Sequence, residues 1–339
     1  MNNSSNIAVI GSGSWGTALA ILLSRNGHKV NLWGHKKEHV DQLVIDRENK
    51  KYLPGFGFPG NLSPLNDLKK AVEDSDVVLM VVPSHAFREI FTKLCPFLPT
   101  KSYILSAVKG IENDTLATMT MVVEEVLSEC KAESKTQEIG VLSGPSFAKE
   151  VALRMPTAVT IGFKRIEAAI DVQKIFVNEY FRVYASSDVI GIELCAALKN
   201  VIAIAAGVCE GLGYGLNTRA ALITRGLAEM RRFGKTLNAE DVTFSGLSGI
   251  GDLILTCTGD LSRNRTVGIK LGKGQKIKQI VEEMSMVAEG IKTTKSVYDL
   301  AAKLAIEMPI LEQVYKIIYQ NKECSLAVRD LLSRELKVE

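Results

Sequence analysis

Read for hydropathy alone, the first half of the chain alternates short, nearly continuous apolar runs with segments of helical period. The runs are NIAVI (6–10), KVNLW (29–33), DVVLMVV (76–82), YILSAV (103–108), IGVLS (139–143) and AVTIG (158–162). Strands buried on both faces of a parallel sheet read this way, because neither face meets water. Helical periods cover 15–26, 38–48, 66–73, 84–94 and 115–130. YLPGFGFPGNLSP reads as a Pro/Gly-rich loop and KAESKTQE as a polar connector. After about residue 187 the alternation stops, and helical periods follow at 188–211, 217–233, 263–272, 291–304 and 309–320. The pattern predicts an α/β chain, with a Rossmann-type doubly wound sheet over 1–187 and an all-α domain over 188–339.

Charge adds exclusions. With 41 Lys+Arg against 38 Asp+Glu, the chain lacks the polycationic surface of a nucleic-acid binder. The four histidines and six cysteines show no ligand spacing for a metal, and the cysteines read as reduced core thiols of a cytoplasmic protein. The N-terminal residues lack the basic region of a signal peptide. The most apolar stretch, 191–213, is interrupted by Glu193, Lys199 and Asn200, which predicts a buried helix rather than a membrane span.

The first strand runs into Gly11, Gly13 and Gly16 in the G-x-G-x-x-G pattern, followed by an amphipathic helix and a second strand. In that setting the pattern predicts a dinucleotide site. One glycine makes the tight turn, one lets backbone approach the pyrophosphate, and one lets the helix pack close to the sheet. Ser14 and Trp15 stand at the helix N-terminus, where free N–H groups face phosphate. At the end of the second strand, where NAD sites usually place an acid, stands Gly34, followed by His35, Lys36 and Lys37. The absence of a carboxylate and the positive charge predict that NADP is accepted and preferred over NAD.

The second half raises a different question, because Lys199 lies within an apolar helix. Its neighbours three and four residues away are Cys195, Ala196, Ile202 and Ala203, none of which can pair with an ammonium. A buried lysine lowers its pKa or finds a partner elsewhere in the chain, and a lysine at a helix edge snorkels to solvent. Three other stretches gather polar groups. SAVKGIE puts Lys109 at the carboxyl end of a strand, where ligands bind in open α/β sheets. SGPSFAKEV puts Gly144, Pro145 and Ser146 in a turn that opens a helix. GIGDLILTCTGDLSRNRTVG combines Asp252 with Ser262, Arg263, Asn264 and Arg265, a donor cluster suited to phosphate.

Taken together, GSGSWGTALA, SAVKGIE, SGPSFAKEVA, ELCAALKNVIAIAAGVCEGLGYGLNTRAALITRGLAEM, GLSGIGDLILTCTGDLSRNR and VAEGIKTT resemble the bacterial NAD(P)-dependent glycerol-3-phosphate dehydrogenases across residues 6 to 330. The resemblance implies hydride transfer between nicotinamide C4 and C2 of dihydroxyacetone phosphate, giving sn-glycerol 3-phosphate for glycerophospholipid synthesis. It makes Lys199 the proton donor and acceptor. It assigns Lys109, Gly144, Ser146, Lys199, Asp252, Ser262, Arg263 and Asn264 to substrate. Gly11, Gly13, Ser14, Trp15, Gly16, His35, Lys36, Lys109, Ala148, Arg263, Val287 and Glu289 fall to cofactor, NADP or NAD. A cytoplasmic homodimer with no nucleic-acid or membrane partner is the accompanying expectation. On the residues alone, a dehydrogenase of the 6-phosphogluconate or 3-hydroxyacid type, or a non-catalytic dinucleotide sensor, stays open.

Overall fold

The computed structural model describes the chain except residues 1–3, 131–135, 285–287, 337 and 339. The described chain forms two compact units, Met1–Val108 with Met119–Ile192, and Lys109–Thr118 with Glu193–Glu339.

The first unit runs β1 (Asn6–Ile10), α1 (Ser14–Arg25), β2 (Lys29–Trp33), α2 (Lys37–Asp46), β3 (Glu48–Asn49), β4 (Leu53–Gly57), β5 (Leu62–Leu65), α3 (Leu68–Val72), β6 (Val77–Met80), α4 (Phe87–Leu94), β7 (Tyr103–Ser106), α5 (Met119–Glu129), β8 (Glu138–Ser143), α6 (Ala148–Ala152), β9 (Thr157–Phe163), α7 (Ile166–Phe176) and β10 (Phe181–Ser186). The sheet has the order β10–β9–β8–β7–β6–β1–β2–β5, with β3 and β4 forming a separate hairpin. Its central strands carry the predicted apolar runs. Ile7, Val9, Val77, Leu79, Leu105 and Leu142 are buried in one core with Leu19, Leu22 and Leu23 of α1.

Three local expectations are corrected. Residues 52–64, read as a loop, contain β4 and the edge strand β5. Pro64 pairs in register with Leu32, and an edge strand tolerates a residue with no N–H to donate. Residues 163–187, for which the pattern assigns no element, form α7 and β10. Strand β9 runs antiparallel to β8. The intervening α6 has five residues, roughly 7.5 Å of helix at 1.5 Å per residue, too short to carry the chain back along β8.

The second unit takes residues 193–211 of α8 (Val189–Gly211), then α9 (Leu216–Thr236), α10 (Asp241–Phe244), a π turn over Leu247–Gly251, α11 (Asp252–Thr258), α12 (Arg263–Gly272), α13 (Ile277–Glu283), α14 (Glu289–Lys303), α15 (Pro309–Tyr319) and α16 (Cys324–Leu332). Helix α8 is long and apolar enough to cross a membrane, but 94% of its most apolar window is buried inside the protein. The helix expected over 115–130 begins at Met119, because Ile111 and Thr118 pair as an antiparallel bridge and Leu116 turns with φ 62°.

Candidate active site

The glycine loop of the first unit is built as a cradle. Gly11 takes φ +127°, and a Cβ there would stand 2.5 Å from the carbonyl oxygen of Val81. A Cβ at Gly16 would overlap the carbonyl oxygen of Gly11. At Gly13, by contrast, nothing lies within 4 Å of a Cβ position, and α1 starts there with no side-chain cap. This open space before uncapped N–H groups fits a pyrophosphate. The loop is held from behind by buried Asn49 of β3, which donates to the Ser12 carbonyl at 2.9 Å and to Thr17 Oγ1 at 2.8 Å. Ser14 is the first residue of α1, and Trp15 packs on the core with its Nε1 buried and unpartnered among the described residues.

His35 and Lys36 are exposed between β2 and α2. Gly34 carries less information about cofactor choice than its sequence position implies. A Cβ there would lie 2.6 Å from both Ser12 Oγ and Val40 Cγ2, so any side chain at this position needs those two to shift whichever nucleotide binds. The remaining sites of this unit follow β8. Ser146 Oγ donates to the Gly144 carbonyl at 2.9 Å, and Ala148 opens α6. That helix is a single short turn, so its dipole is small compared with that of α1.

The second unit answers the question posed by Lys199. It is 4% exposed, and its partners come from α11. Its Nζ lies 2.5 Å from Asp252 Oδ1 and donates to Thr256 Oγ1 at 2.9 Å. Thr256 in turn donates to the Asp252 carbonyl at 2.6 Å. The other Asp252 oxygen takes Lys109 Nζ at 2.8 Å. Burial pushes the Lys199 pKa down to about 7; Asp252 pulls it up and Lys109 pushes it down. For Asp252, burial alone would raise the carboxyl pKa, but the two ammonium groups outweigh it and hold it below the usual range. The π turn before Asp252 contains Gly249 at a non-helical φ/ψ of −84°, −107°. Single π turns of this kind are frequent at functional sites.

Asn200 connects this cluster to α12. Its Nδ2 donates to the Lys109 carbonyl at 3.0 Å, and its Oδ1 accepts from Asn264 Nδ2 at 2.8 Å. Asn264 Oδ1 accepts the Gly290 N–H at 3.0 Å. Ser262 caps α12 by accepting the Arg265 N–H at 3.3 Å. Arg263 is exposed as a residue, yet packing around its guanidinium lowers its pKa, opposed by the carboxylate of Glu289. Thus Lys109, Lys199, Asp252, Ser262, Arg263, Asn264 and Glu289 all belong to one unit. Val287 lies outside the described residues.

With this geometry in place, comparison with known proteins is decisive. The family model for the NAD-dependent glycerol-3-phosphate dehydrogenase N-terminus matches residues 6–169, and the model for its C-terminus matches 188–329. The chain belongs to the NAD-dependent glycerol-3-phosphate dehydrogenase family. It is therefore an NAD(P)-dependent oxidoreductase acting on CH–OH. A glycerol-3-phosphate dehydrogenase [NAD(P)+] of Desulfotalea psychrophila is 61% identical over 338 residues, covering 100% of this chain and 99% of its own. One from Citrifermentans bemidjiense is 54% identical over 333 residues, with 98% of each chain covered. The crystal structure of glycerol-3-phosphate dehydrogenase from Coxiella burnetii superposes with a TM-score of 0.93 at 41% identity, covering 98% of this chain and 99% of that one.

Two polar residues of this cluster, Thr256 and Asn200, have no site role in the sequence reading. Thr256 stands four residues after Asp252 on α11, the spacing that puts two side chains on one helix face. Asn200 follows Lys199 as a second polar residue in an otherwise apolar run. Both signals were local and legible, but nothing along the chain indicated which partners they meet.

Proposed function

We propose that the protein reduces dihydroxyacetone phosphate to sn-glycerol 3-phosphate, and reverses the reaction, with Lys199 as proton donor and acceptor at the C2 oxygen. The single observation carrying this reading is the buried Lys199–Asp252 contact with the Lys199 pKa near 7. A general acid and base works best when its pKa lies near the working pH. An ammonium has three N–H donors. Asp252 and Thr256 take two, leaving the third for the oxygen of the substrate. The cofactor, when bound, supplies or accepts the hydride at C2. In reduction Lys199 gives its proton to the developing alkoxide; in oxidation the neutral amine takes it back. Asp252 orients the amine and partly offsets its desolvation, and Lys109 balances the carboxylate so that the pair does not trap the proton.

Arg263 and Asn264, in the first turn of α12, are the groups we assign to the substrate phosphate, with Ser262 capping that turn. Gly144 and Ser146 contribute backbone and hydroxyl groups to substrate. Gly11, Gly13, Ser14, Trp15, Gly16, His35, Lys36, Ala148 and Glu289 are assigned to the dinucleotide, with Lys109 and Arg263 shared. Preference for NADPH rests on His35 and Lys36 rather than on Gly34. Further proposals are that the protein works in the cytoplasm as a homodimer and feeds glycerophospholipid synthesis; sedimentation at micromolar concentration checks the dimer.

The experiment is spectrophotometric. Loss of absorbance at 340 nm is followed with NADPH or NADH and dihydroxyacetone phosphate. Turnover with both cofactors, faster with NADPH at subsaturating concentration, is expected. No turnover would reject the reaction, and a strong preference for NADH would reject the assignment of His35 and Lys36.

A further inference from the structure

Helices α8 and α12 lie side by side with almost nothing between them. A Cβ on Gly207 would overlap the backbone of Arg265, with Gly268 Cα 2.9 Å away; Gly211 stands in the same relation to Ile269 and Gly272. Contact through glycines allows close approach, but it offers few side chains to interlock and resist sliding along the axes. The arginine two residues beyond Arg263 supplies what that contact lacks. Arg265 is 8% exposed. Its Nε donates to Glu210 Oε2 at 3.0 Å and its Nη2 to Glu210 Oε1 at 2.7 Å. Nη1 donates to Asp260 Oδ1 at 2.9 Å, on a side chain that is mostly in solvent. Glu210, in the last turn of α8, also takes Arg219 Nη2 at 2.7 Å. A two-pronged guanidinium–carboxylate contact fixes both distance and angle, which a lysine at the same place would not.

We propose that the Arg265–Glu210 fork is a positioning device that sets the register of the first turn of α12, with its Arg263 and Asn264 side chains, along the helix that carries Lys199. The fork ties the third residue of α12 to the end of α8, while the Asn264–Asn200 hydrogen bond ties the second residue one side chain away from Lys199. Two ties at different points along α8 oppose both sliding and rotation. The proposal rests on the assignment of Arg263 and Asn264 to the substrate phosphate. Its consequence is specific: a loosened fork misplaces the anchored substrate relative to the proton donor. It leaves a substrate without the anchor unaffected.

The test uses the full-length enzyme and the variants Arg265→Lys, Glu210→Gln and both together, with Arg263→Lys in parallel. For each, kcat and KM are measured with dihydroxyacetone phosphate and with unphosphorylated dihydroxyacetone, together with the NADPH Kd and the Tm. Misplacement by a fraction of an ångström costs on the order of tenfold. Each single fork variant is therefore expected to lose about tenfold in kcat/KM on the phosphate ester, and the double variant no more than either single. Activity on dihydroxyacetone at saturating NADPH should stay within about twofold, and any change in the NADPH Kd reports the share of Arg263 assigned to the cofactor. Equal losses on both substrates, or none on the phosphate ester, would overturn the proposal. If Arg265→Lys does not fold, Glu210→Asp, which shortens the reach but keeps the charge, reads the same substrate ratio. If Arg263→Lys leaves the preference for the phosphate ester intact, the phosphate assignment fails and the fork proposal with it. If Arg263→Lys abolishes that preference while the fork variants keep it, the fork proposal alone fails.

Discussion

At the scale of single residues, Lys199 is the costly placement on which the proposed proton transfer rests. Burial lowers its pKa by disfavouring the ammonium, and Asp252 keeps the group from being neutral throughout the neutral pH range. The sign of the pH dependence follows. Reduction needs the protonated amine, so kcat/KM with dihydroxyacetone phosphate and NADPH should be level below about pH 7 and fall above it. Oxidation of sn-glycerol 3-phosphate needs the neutral amine and should show the opposite limb. Parallel profiles in the two directions would remove Lys199 from the proton transfer. Lys199→Met keeps the length but not the proton, and kcat should drop by at least about 10²-fold. Near-normal turnover in the folded variant would leave Lys199 a structural residue.

Between elements, the second unit uses a buried carboxylate as a helix cap supplied from another helix. Helix α15 begins at Pro309 after Met308, which has no capping side chain. Glu229 of α9 accepts the Ile310 N–H at 2.7 Å and the Leu311 N–H at 3.3 Å instead. Burial raises its pKa to about 7, with the two N–H groups, Arg232 and Arg334 opposing. A raised carboxyl means that the folded state binds more protons than the unfolded state between the ordinary glutamate value and about 7. Stability from this group is thus present at low pH and lost as pH rises through about 7. Glu229→Gln removes the charge and keeps one of the two acceptors, enough for the shorter bond from the Ile310 N–H. Its Tm should exceed that of wild type at pH 8, by less than the roughly 2–4 °C per kcal/mol of a 150–250-residue chain because this chain is longer. The difference should vanish only below the ordinary glutamate value, 4.5, where the carboxyl is protonated in both folded and unfolded states. A variant less stable than wild type at pH 8 would mean that the charged cap outweighs its desolvation.

For the molecule as a whole, the residues proposed for the site divide between the units: the glycine loop lies in the first, and Lys199, Asp252, Arg263 and Asn264 lie in the second. The division predicts separable failures. Gly16→Ala forces a methyl group into the Gly11 carbonyl and must push α1 off the loop. NADPH Kd should rise at least about tenfold, or 1.4 kcal/mol. Lys199→Met should leave that Kd within about twofold, since Lys199 belongs to the other unit and is not assigned to the dinucleotide. Isothermal titration of both variants checks this, and a Gly16→Ala protein that binds NADPH normally would refute the cradle.

Much of this was legible along the chain. Continuous apolar runs specify strands shielded on both faces, so β1, β2, β6 and β7 were readable from hydropathy, as were the long helices α8, α9, α14 and α15. The glycine pattern announced its loop because steric exclusion acts over a few neighbouring residues. Edge elements were harder: β5 contains a proline, and β10 alternates buried and exposed residues in FRVYAS instead of forming an apolar run. The direction of β9 was set by the length of α6, not by the composition of the strand. Sequence showed that Lys199 needed a partner and could not name it, because Asp252 and Thr256 are more than fifty residues away and reach it only through the packing of α11 on α8. Arg265 gave no sign of burial in the string SRNR, and Gly34 gave no sign that a side chain there would crowd Ser12 and Val40. Local sterics and periodicity are written in the order of residues; which charges meet, and how far burial shifts them, is decided by the helices that close around them.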